Sequence, residues 1–349
     1  MYQIFSTRNN PFVLLFITIA VSGIFIYAVH PQEMATGDPS IVIPNTQVEL
    51  LFDGAFFTEG PAVAPDGRVY FSDITISASS GMQAGHIWRY DPRSGQTMIF
   101  RSPSGMANGI VFDLKGRMVV AEGADFGGRR VTRTDMTTGK SEILAGLYNG
   151  RPFNAPNDLA IDEAGRIYFT DPRYIGHEPI EQPIMGVYRI DPDGTVSLII
   201  ADAGKPNGIL VSPDQKTLYV ACCDNGWNRI ESLPEDIEIA WGRTAVLAYD
   251  LAPDGTAKFR KTLINVSPKW GVDGMAIDVD GNLYITAWNP DGIYVYSPEG
   301  EEIAYIPTPE VSRNATFGRG STSKTLYITA GRSLYRINLN KKGYHAAKW

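Results

Sequence analysis

Apolar and polar positions alternate along most of this chain in short runs, each broken by Gly, Asp or Pro. The clearest stretch is PNDLAIDEAGRIYFTDP, residues 156–172. After the proline it opens on Asn157, runs through Leu159 and Ile161, turns at Glu163-Ala164-Gly165 and leaves through Ile167, Tyr168 and Phe169. Period-two alternation on both sides of a tight Gly-containing turn predicts two antiparallel strands. The pattern recurs at Glu59 (EGPAVAPDGRVYFSD), Asn108 (NGIVFDLKGRMVVAEG), Asn207 (NGILVSPDQKTLYVACC) and Asp273 (DGMAIDVDGNLYITAW), and more weakly at Ala315 (ATFGRGSTSKTLYITAG). Repeat periods of this length signal solenoids, propellers or arrays. Further strand-like segments lie between the copies, such as HIWRY from His86 and GVYRI from Gly186. About four short strands per unit make the unit a propeller blade. Helix-length periodic segments are missing outside the N-terminus, which excludes helical repeat arrays. The expected fold is all-β, a six-bladed β-propeller preceded by an N-terminal hydrophobic signal or anchor helix.

The register of the repeat points to chemistry. Its lead positions hold Glu59, Asn108, Asn157, Asn207, Asp273 and Ala315. Rotation about a propeller axis relates these positions, so lead residues opening the innermost strands converge at one mouth of the channel. Asn and Asp also build turns, but turn chemistry does not predict the same register in five units. An oxygen-only cluster with two carboxylates suits a hard divalent cation, most naturally calcium, whereas zinc more often recruits His or Cys.

The organisation follows from the same reading. Residues 1–11 are a short, mostly polar segment expected in the cytoplasm. Residues 12–29, FVLLFITIAVSGIFIYAV, carry no charge, and as a helix they would span ~27 Å, close to a bilayer core. They are read as a transmembrane signal anchor or a cleaved signal peptide. Both readings export the rest of the chain to the periplasm or another extracytoplasmic space, with membrane attachment if the helix is uncleaved. Residues 30–46 read as a linker, 47–340 as the propeller and 341–349 as a C-terminal tail. QVELLF, from Gln47, is the candidate ring-closing strand beside the last blade. The longest interval, Asn207 to Asp273, holds an insertion from Asp224 to Arg243 that is either a loop over the site or a surface excursion.

Composition narrows the functional classes. With a net charge of -7 and a pI near 5.2, a nucleic-acid surface is not expected. The 35 Gly and 23 Pro fit a turn-rich β protein. Cys222 and Cys223 are adjacent and expected as free thiols, because neighbouring strand side chains point to opposite faces. The four His form no metal-binding pair, and a G-x-S-x-G nucleophile elbow is lacking.

The ordered set EGP at Glu59, NGIVFD at Asn108, NGRPFNAPNDLAIDEAGRIYFTDPRY from Asn149, PNGILVSPD from Pro206, DGMAIDVDGNLYITA from Asp273 and RNATFGRG with KTLYITAGRSLYRI near the end resembles the senescence marker protein/gluconolactonase/luciferin-regenerating enzyme family, in particular its bacterial gluconolactonase-like branch. The resemblance covers about residues 47 to 339. It implies one divalent metal at the axis of a six-bladed propeller, held by Glu59, Asn157, Asn207 and Asp273. Calcium is the expected ion, with zinc, manganese and magnesium as alternatives. It also implies hydrolysis of a small-molecule sugar lactone, or of organophosphates as in some relatives. Asn108 is assigned to substrate or water contacts. Gly123 and Ala155 stand where many gluconolactonase-like sequences carry His and Ser, departures that concern the substrate rather than the metal.

The expected mechanism is polarisation of the lactone carbonyl with attack by water, Asp273 serving as general base. Asp171, Arg173 and Tyr174 leave the central repeat and are candidates, with Asn157, for contacts to the substrate. Phosphotriester hydrolysis in the same pocket and a non-catalytic binding platform are the competing readings.

Overall fold

The computed structural model describes residues 33–224, 243–266, 271–288 and 290–349. Six antiparallel sheets succeed one another along the chain. Blade 1 comprises Thr58–Val63, Val69–Asp73, His86–Asp91 and Gln96–Arg101. Blade 2 comprises Ala107–Phe112, Met118–Glu122, Arg130–Thr134 and Ser141–Ala145. Blade 3 comprises Leu159–Ile161, Ile167–Thr170, Val187–Ile190 and Val196–Ile200, and blade 4 comprises Pro206–Val211, Thr217–Cys223, Thr244–Leu251 and Ala257–Asn265. Blade 5 runs from Met275–Ile277 through Leu283–Ala287 and Gly292–Tyr296 to Glu302–Pro307, and blade 6 contains Ser312–Phe317, Thr325–Ala330 and Ser333–Asn338. The outermost strand of blade 6 is Glu49–Phe52, paired antiparallel with Ser333–Asn338. The segment QVELLF thus closes the ring, joining the start of the propeller to its last blade.

The hairpin that defines the repeat is set by local chemistry. In blade 3 the Asp162 carboxylate accepts the backbone N–H groups of Ala164 and Arg166, the Arg166 Nε–H and the Tyr168 hydroxyl. Gly165 takes φ +83° at the turn, a conformation cheap only for glycine. Asp113 with Arg117 repeats this arrangement in blade 2. Apolar faces of neighbouring blades then pack on each other. Tyr168 and Val187 of blade 3, for example, share a core cluster with Ile209, Leu218 and Leu247 of blade 4.

Two peripheral segments do more than the alternation predicts. Thr36–Gly37, within the stretch read as a linker, pairs with Glu302–Pro307 as a fifth strand of blade 5. Ala35, Ile41 and Val42 are buried there. The C-terminal tail is docked against the blades beside a small cavity lined by Tyr344 to Ala347. Tyr344 N–H donates to Ile277 O, His345 Nε2 donates to Phe317 O at 3.1 Å and Arg319 Nη1 donates to Ala347 O at 2.7 Å. Lys348 pairs with Glu163, and Trp349 Nε1 donates to Asp113 O. Both segments use apolar anchors without a period, so neither alternation nor helical spacing marks them as docked.

The predicted apolar helix, residues 12–29, lies outside the described residues. Among the described residues no helix is long and apolar enough to cross a membrane. The only helical elements described are one turn at Ser77–Ser80 and a 3₁₀ turn at Gly320–Thr322.

Burial of His345 holds its imidazole far down, to about 3 from 6.5, with the Arg319 charge adding to the effect. The folded ring stays neutral while the unfolded one takes up a proton below its ordinary pKa. Its contribution is therefore complete above about pH 6.5 and lost as pH falls from there. The expected result is that wild type loses about 2 kcal/mol of stability relative to His345→Gln between about pH 7 and pH 5. Denaturant unfolding of both proteins at the two pH values checks it, because the shared carboxylate effects cancel in the difference.

Candidate functional site at the propeller axis

In four blades the inner strand begins with an irregularity beside the residue that lines the axial cavity, blade 6 shifting between Ser312 and Asn314. In blade 1 the register shifts between Glu59 and Ala62, in blade 2 between Ala107 and Ile110 and in blade 4 between Pro206 and Ile209. These are β-bulges, which re-aim side chains next to functional sites. Gly60 shows why blade 1 reads Glu-Gly: its φ is +40° and a Cβ would collide with the Asn108 carbonyl oxygen.

Adjacent blades are tied through the backbone at these positions. The Ser72 hydroxyl donates to Asn108 O at 2.6 Å, Thr170 Oγ1 to Asn207 O at 2.7 Å and Thr286 Oγ1 to Arg313 O at 3.0 Å. Backbone N–H groups serve the junctions between, Gly109 to Asn157 O and Gly208 to Asp273 O, and Gly274 N–H joins Thr286 on Arg313 O. Thr58 completes the circuit, its hydroxyl donating to Ser333 O of blade 6 at 2.9 Å.

This pattern corrects one register. The lead residue of blade 6 is Arg313, not Ala315. In blade 6 Phe317 pairs with Leu326, whereas Val63 pairs with Val69 in blade 1. The longer connection contains the 3₁₀ turn, so alignment on the returning strand displaced the lead by two residues.

Glu59, Asn108, Asn157, Asn207, Asp273 and Arg313 all line one cavity of about 430 Å³. Its walls come from Phe57, Ile74, Ile76, Met106, Ala124, Ala155, Ile175, Trp288 and Val311, among others. Beneath the six lead residues lies a second layer, formed by Gly60, Gly109, Asp158, Gly208, Gly274 and Asn314. The glycines make room for two side chains: a Cβ on Gly109 would stand 2.8 Å from Asp158 Oδ1, and one on Gly274 would run into the Asn314 amide. The Asn314 side chain hydrogen-bonds Asp158. Below this layer a smaller cavity of about 130 Å³ is bounded by Arg319 and the segment from Tyr344 to Ala347.

The electrostatics are those of crowded acids. Burial, then repulsion from Asp273, raises the Glu59 carboxyl well above its usual value. Burial raises Asp273 to about 6, opposed by Arg313 and the Asn207 side chain. Burial also raises Asp158 to about 7. Arg313 Nη1 lies 3.7 Å from Asp273 Oδ2, and its guanidinium carbon is 4.6 Å from the Phe57 ring and 4.7 Å from the Trp288 ring. Asn108 Oδ1 and Arg313 Nε are buried and have no hydrogen-bond partner among the described residues. An orphaned buried acceptor beside two repelling carboxylates fits a cation-binding set of oxygen donors.

The proposed substrate-contact residues divide. Asn108, Asn157 and Tyr174 line the cavity; Asp171 and Arg173 do not. Both are fully buried behind it. Asp171 accepts the N–H groups of Asn154 and Ala155, both at 2.8 Å. Arg173 bonds Glu178 Oε2 and Pro179 O. Asp171 therefore fixes the loop that delivers Asn157. Asp73 does the same for Glu59, accepting the N–H groups of Phe56 and Phe57 at 2.9 Å. Each aspartate stands fourteen residues after its lead residue in the FSD and FTD endings, a repeat spacing that could have revealed Asp73. Cys223 lines the cavity and Cys222 is buried beside it, both free. The ends of the Asp224–Arg243 insertion meet next to Cys223, Asp224 N–H donating to Arg243 O; its interior lies outside the described residues.

Comparison with known proteins agrees with this architecture. Residues 57–332 match the model of the SMP-30/Gluconolactonase/LRE-like region. The gluconolactonase of Zymomonas mobilis subsp. mobilis is 31% identical over 87% of this chain and 84% of its own. Lactonase drp35 of Staphylococcus epidermidis is 26% identical over 82% of this chain and 78% of its own. The structure of XC5397 from Xanthomonas campestris, described as a gluconolactonase, superposes with a TM-score of 0.70 at 26% identity, covering 89% of this chain and 99% of that one.

Two measurements probe the site. Thr170 Oγ1 both donates to Asn207 O and accepts the Asp158 N–H, so Thr170→Val leaves two buried backbone groups unpaired. It is expected to lower the unfolding free energy by about 2 kcal/mol, read by denaturant titration. Burial pushes the Cys223 thiol to about 12. Despite its place on the cavity, alkylation by iodoacetamide at about pH 8 should run at least about 100-fold slower than for free cysteine and recover on unfolding, as followed by mass spectrometry.

Proposed function

Because the chain belongs to the SMP-30/Gluconolactonase/LRE-like family, we propose that it is a cation-dependent lactonase, opening a cyclic ester by attack of water at the floor of the axial cavity. The observation that carries this reading is the convergence of Glu59, Asn157, Asn207 and Asp273 with the unpartnered Asn108 Oδ1 in one cavity. The lactonase names of the relatives point to the same reaction class.

In this reading Glu59, Asn157, Asn207 and Asp273 hold the ion, and the absence of His and Cys ligands from that set favours calcium over zinc. When bound, such a cation supplies Lewis-acid polarisation of the ester carbonyl. The remaining work falls to this chain's own groups. Asp273, oriented by Asn207 and Arg313, accepts the proton of the attacking water. Asn108 Oδ1 is free to accept a hydrogen bond from that water or from the substrate. Arg313, fixed by its stacking contacts, places a positive charge beside the acid and stabilises negative charge developing on oxygen. Asp73 and Asp171 keep the loops carrying Glu59 and Asn157 from shifting. The walls exclude bulk water and so strengthen each of these interactions.

The test is turnover across a lactone panel before and after chelation, with calcium, zinc, manganese and magnesium restored singly. Turnover should disappear with chelator and return with a divalent ion, calcium first, while a thermal-shift assay shows the ion stabilising the fold. Asp273→Asn should cut kcat/KM by about 10²–10⁴-fold, the usual weight of a general base. Full turnover in excess chelator would remove the cation from the mechanism.

A further inference from the structure

Taking the lactonase reading as its basis, we infer that the substrate is a lactone bearing an apolar substituent, an alkyl chain or an aryl group, rather than a polyhydroxylated sugar lactone. The distribution of polar atoms around the cavity carries this. Six charged or amide side chains line it, and all six are lead residues gathered on the floor. The surrounding walls are Phe57, Ile74, Ile76, Met106, Ile175 and Val311, with small residues at Gly123, Ala124 and Ala155.

The two strong side-chain donors on the walls are already engaged. Trp288 Nε1 donates to Ser312 O at 3.0 Å. The Tyr174 hydroxyl donates to Cys223 O at 3.3 Å, with Lys205 O at 3.5 Å. The two charged side chains that follow the central strand pair, Asp171 and Arg173, are fully buried behind the wall. Among the described residues, the ring hydroxyls of a sugar lactone would find only the weak thiol of Cys223 and an acceptor lone pair on Tyr174 above the floor. Each hydroxyl moved from water without a new hydrogen bond carries a penalty. An alkyl or aryl substituent on the same ring gains from burial against these walls. A cavity of about 430 Å³ accommodates a small ligand with such a substituent.

The experiment compares kcat/KM of the full chain, loaded with its preferred divalent ion, on glucono-δ-lactone, dihydrocoumarin and a series of δ-alkyl lactones of increasing chain length. The alkyl and aryl substrates should exceed gluconolactone by at least about tenfold, and the rate constant should climb by up to about fourfold per methylene over the first few carbons. Ile76 and Ile175 are half-buried on the wall. Ile76→Asn and Ile175→Asn, each checked for native circular dichroism, should cut the ratio of alkyl-lactone to gluconolactone kcat/KM at least about fivefold. Two wall positions are tested so that misfolding of one leaves the other. Turnover that favours gluconolactone, or that is flat with chain length, overturns the inference and leaves the lactonase reading standing. Failure to hydrolyse any lactone overturns both.

Discussion

In five of the six blades the carbonyl oxygen of the lead residue, which lines the axial cavity, is held by the neighbouring blade. Six sheets radiating from a centre leave little room there, and a buried carbonyl must be paired. Ser72, Thr170 and Thr286 supply hydroxyls at alternate junctions, the N–H groups of Gly109 and Gly208 serve the junctions between, and Gly274 N–H shares Arg313 O with Thr286. A slip of one residue would break these bonds and send the neighbouring side chains to the opposite face. The constraint that closes the ring is thus the one that assembles the site. A substitution that loosens a junction disturbs packing and chemistry together.

The same geometry concentrates acid. Glu59, Asp273 and Asp158 are all buried near one axis, and the guanidinium closest to Asp273 belongs to Arg313. Concentrating ionisable groups away from water costs stability. The interlocked blade cores must offset that cost. Their clusters run between adjacent blades, as Ala160, Ile209 and Val220 do, so the rim of the propeller supports a centre that would be unfavourable alone. An arrangement unfavourable in isolation and complementary to a cation is what a binding centre requires.

Much of this was legible along the chain because the hairpin is local. Alternation, the Asp-turn-Gly chemistry and the repeat spacing fixed the blades, the ring-closing strand and five of the six lead residues. What escaped depended on crowding between segments distant in sequence. Asn-Gly and Asp-Gly at 108–109, 207–208 and 273–274 look like turn dipeptides. Their glycines serve instead because Asn157 O and Asp158, Asp273 O and the Asn314 side chain occupy the space a Cβ would fill. Arg313 was hidden by the longer connection in blade 6. Asp171 and Arg173 have the composition of pocket residues, and only the packed structure shows them facing away from the cavity. The docked segments near both ends of the described chain hold apolar anchors too irregularly spaced for any periodic template.

The C-terminal segment has a bearing on how one side of the axis is covered. It seats His345 and Ala347 against the smaller cavity below the second layer, with Arg319 donating to Val63 O and Ala347 O, and so lines the side of the axis opposite the six lead residues. The closing segment also ends on Trp349, packed against Phe112 and Arg319. A tag or fusion appended after that residue would begin directly at this packed ring.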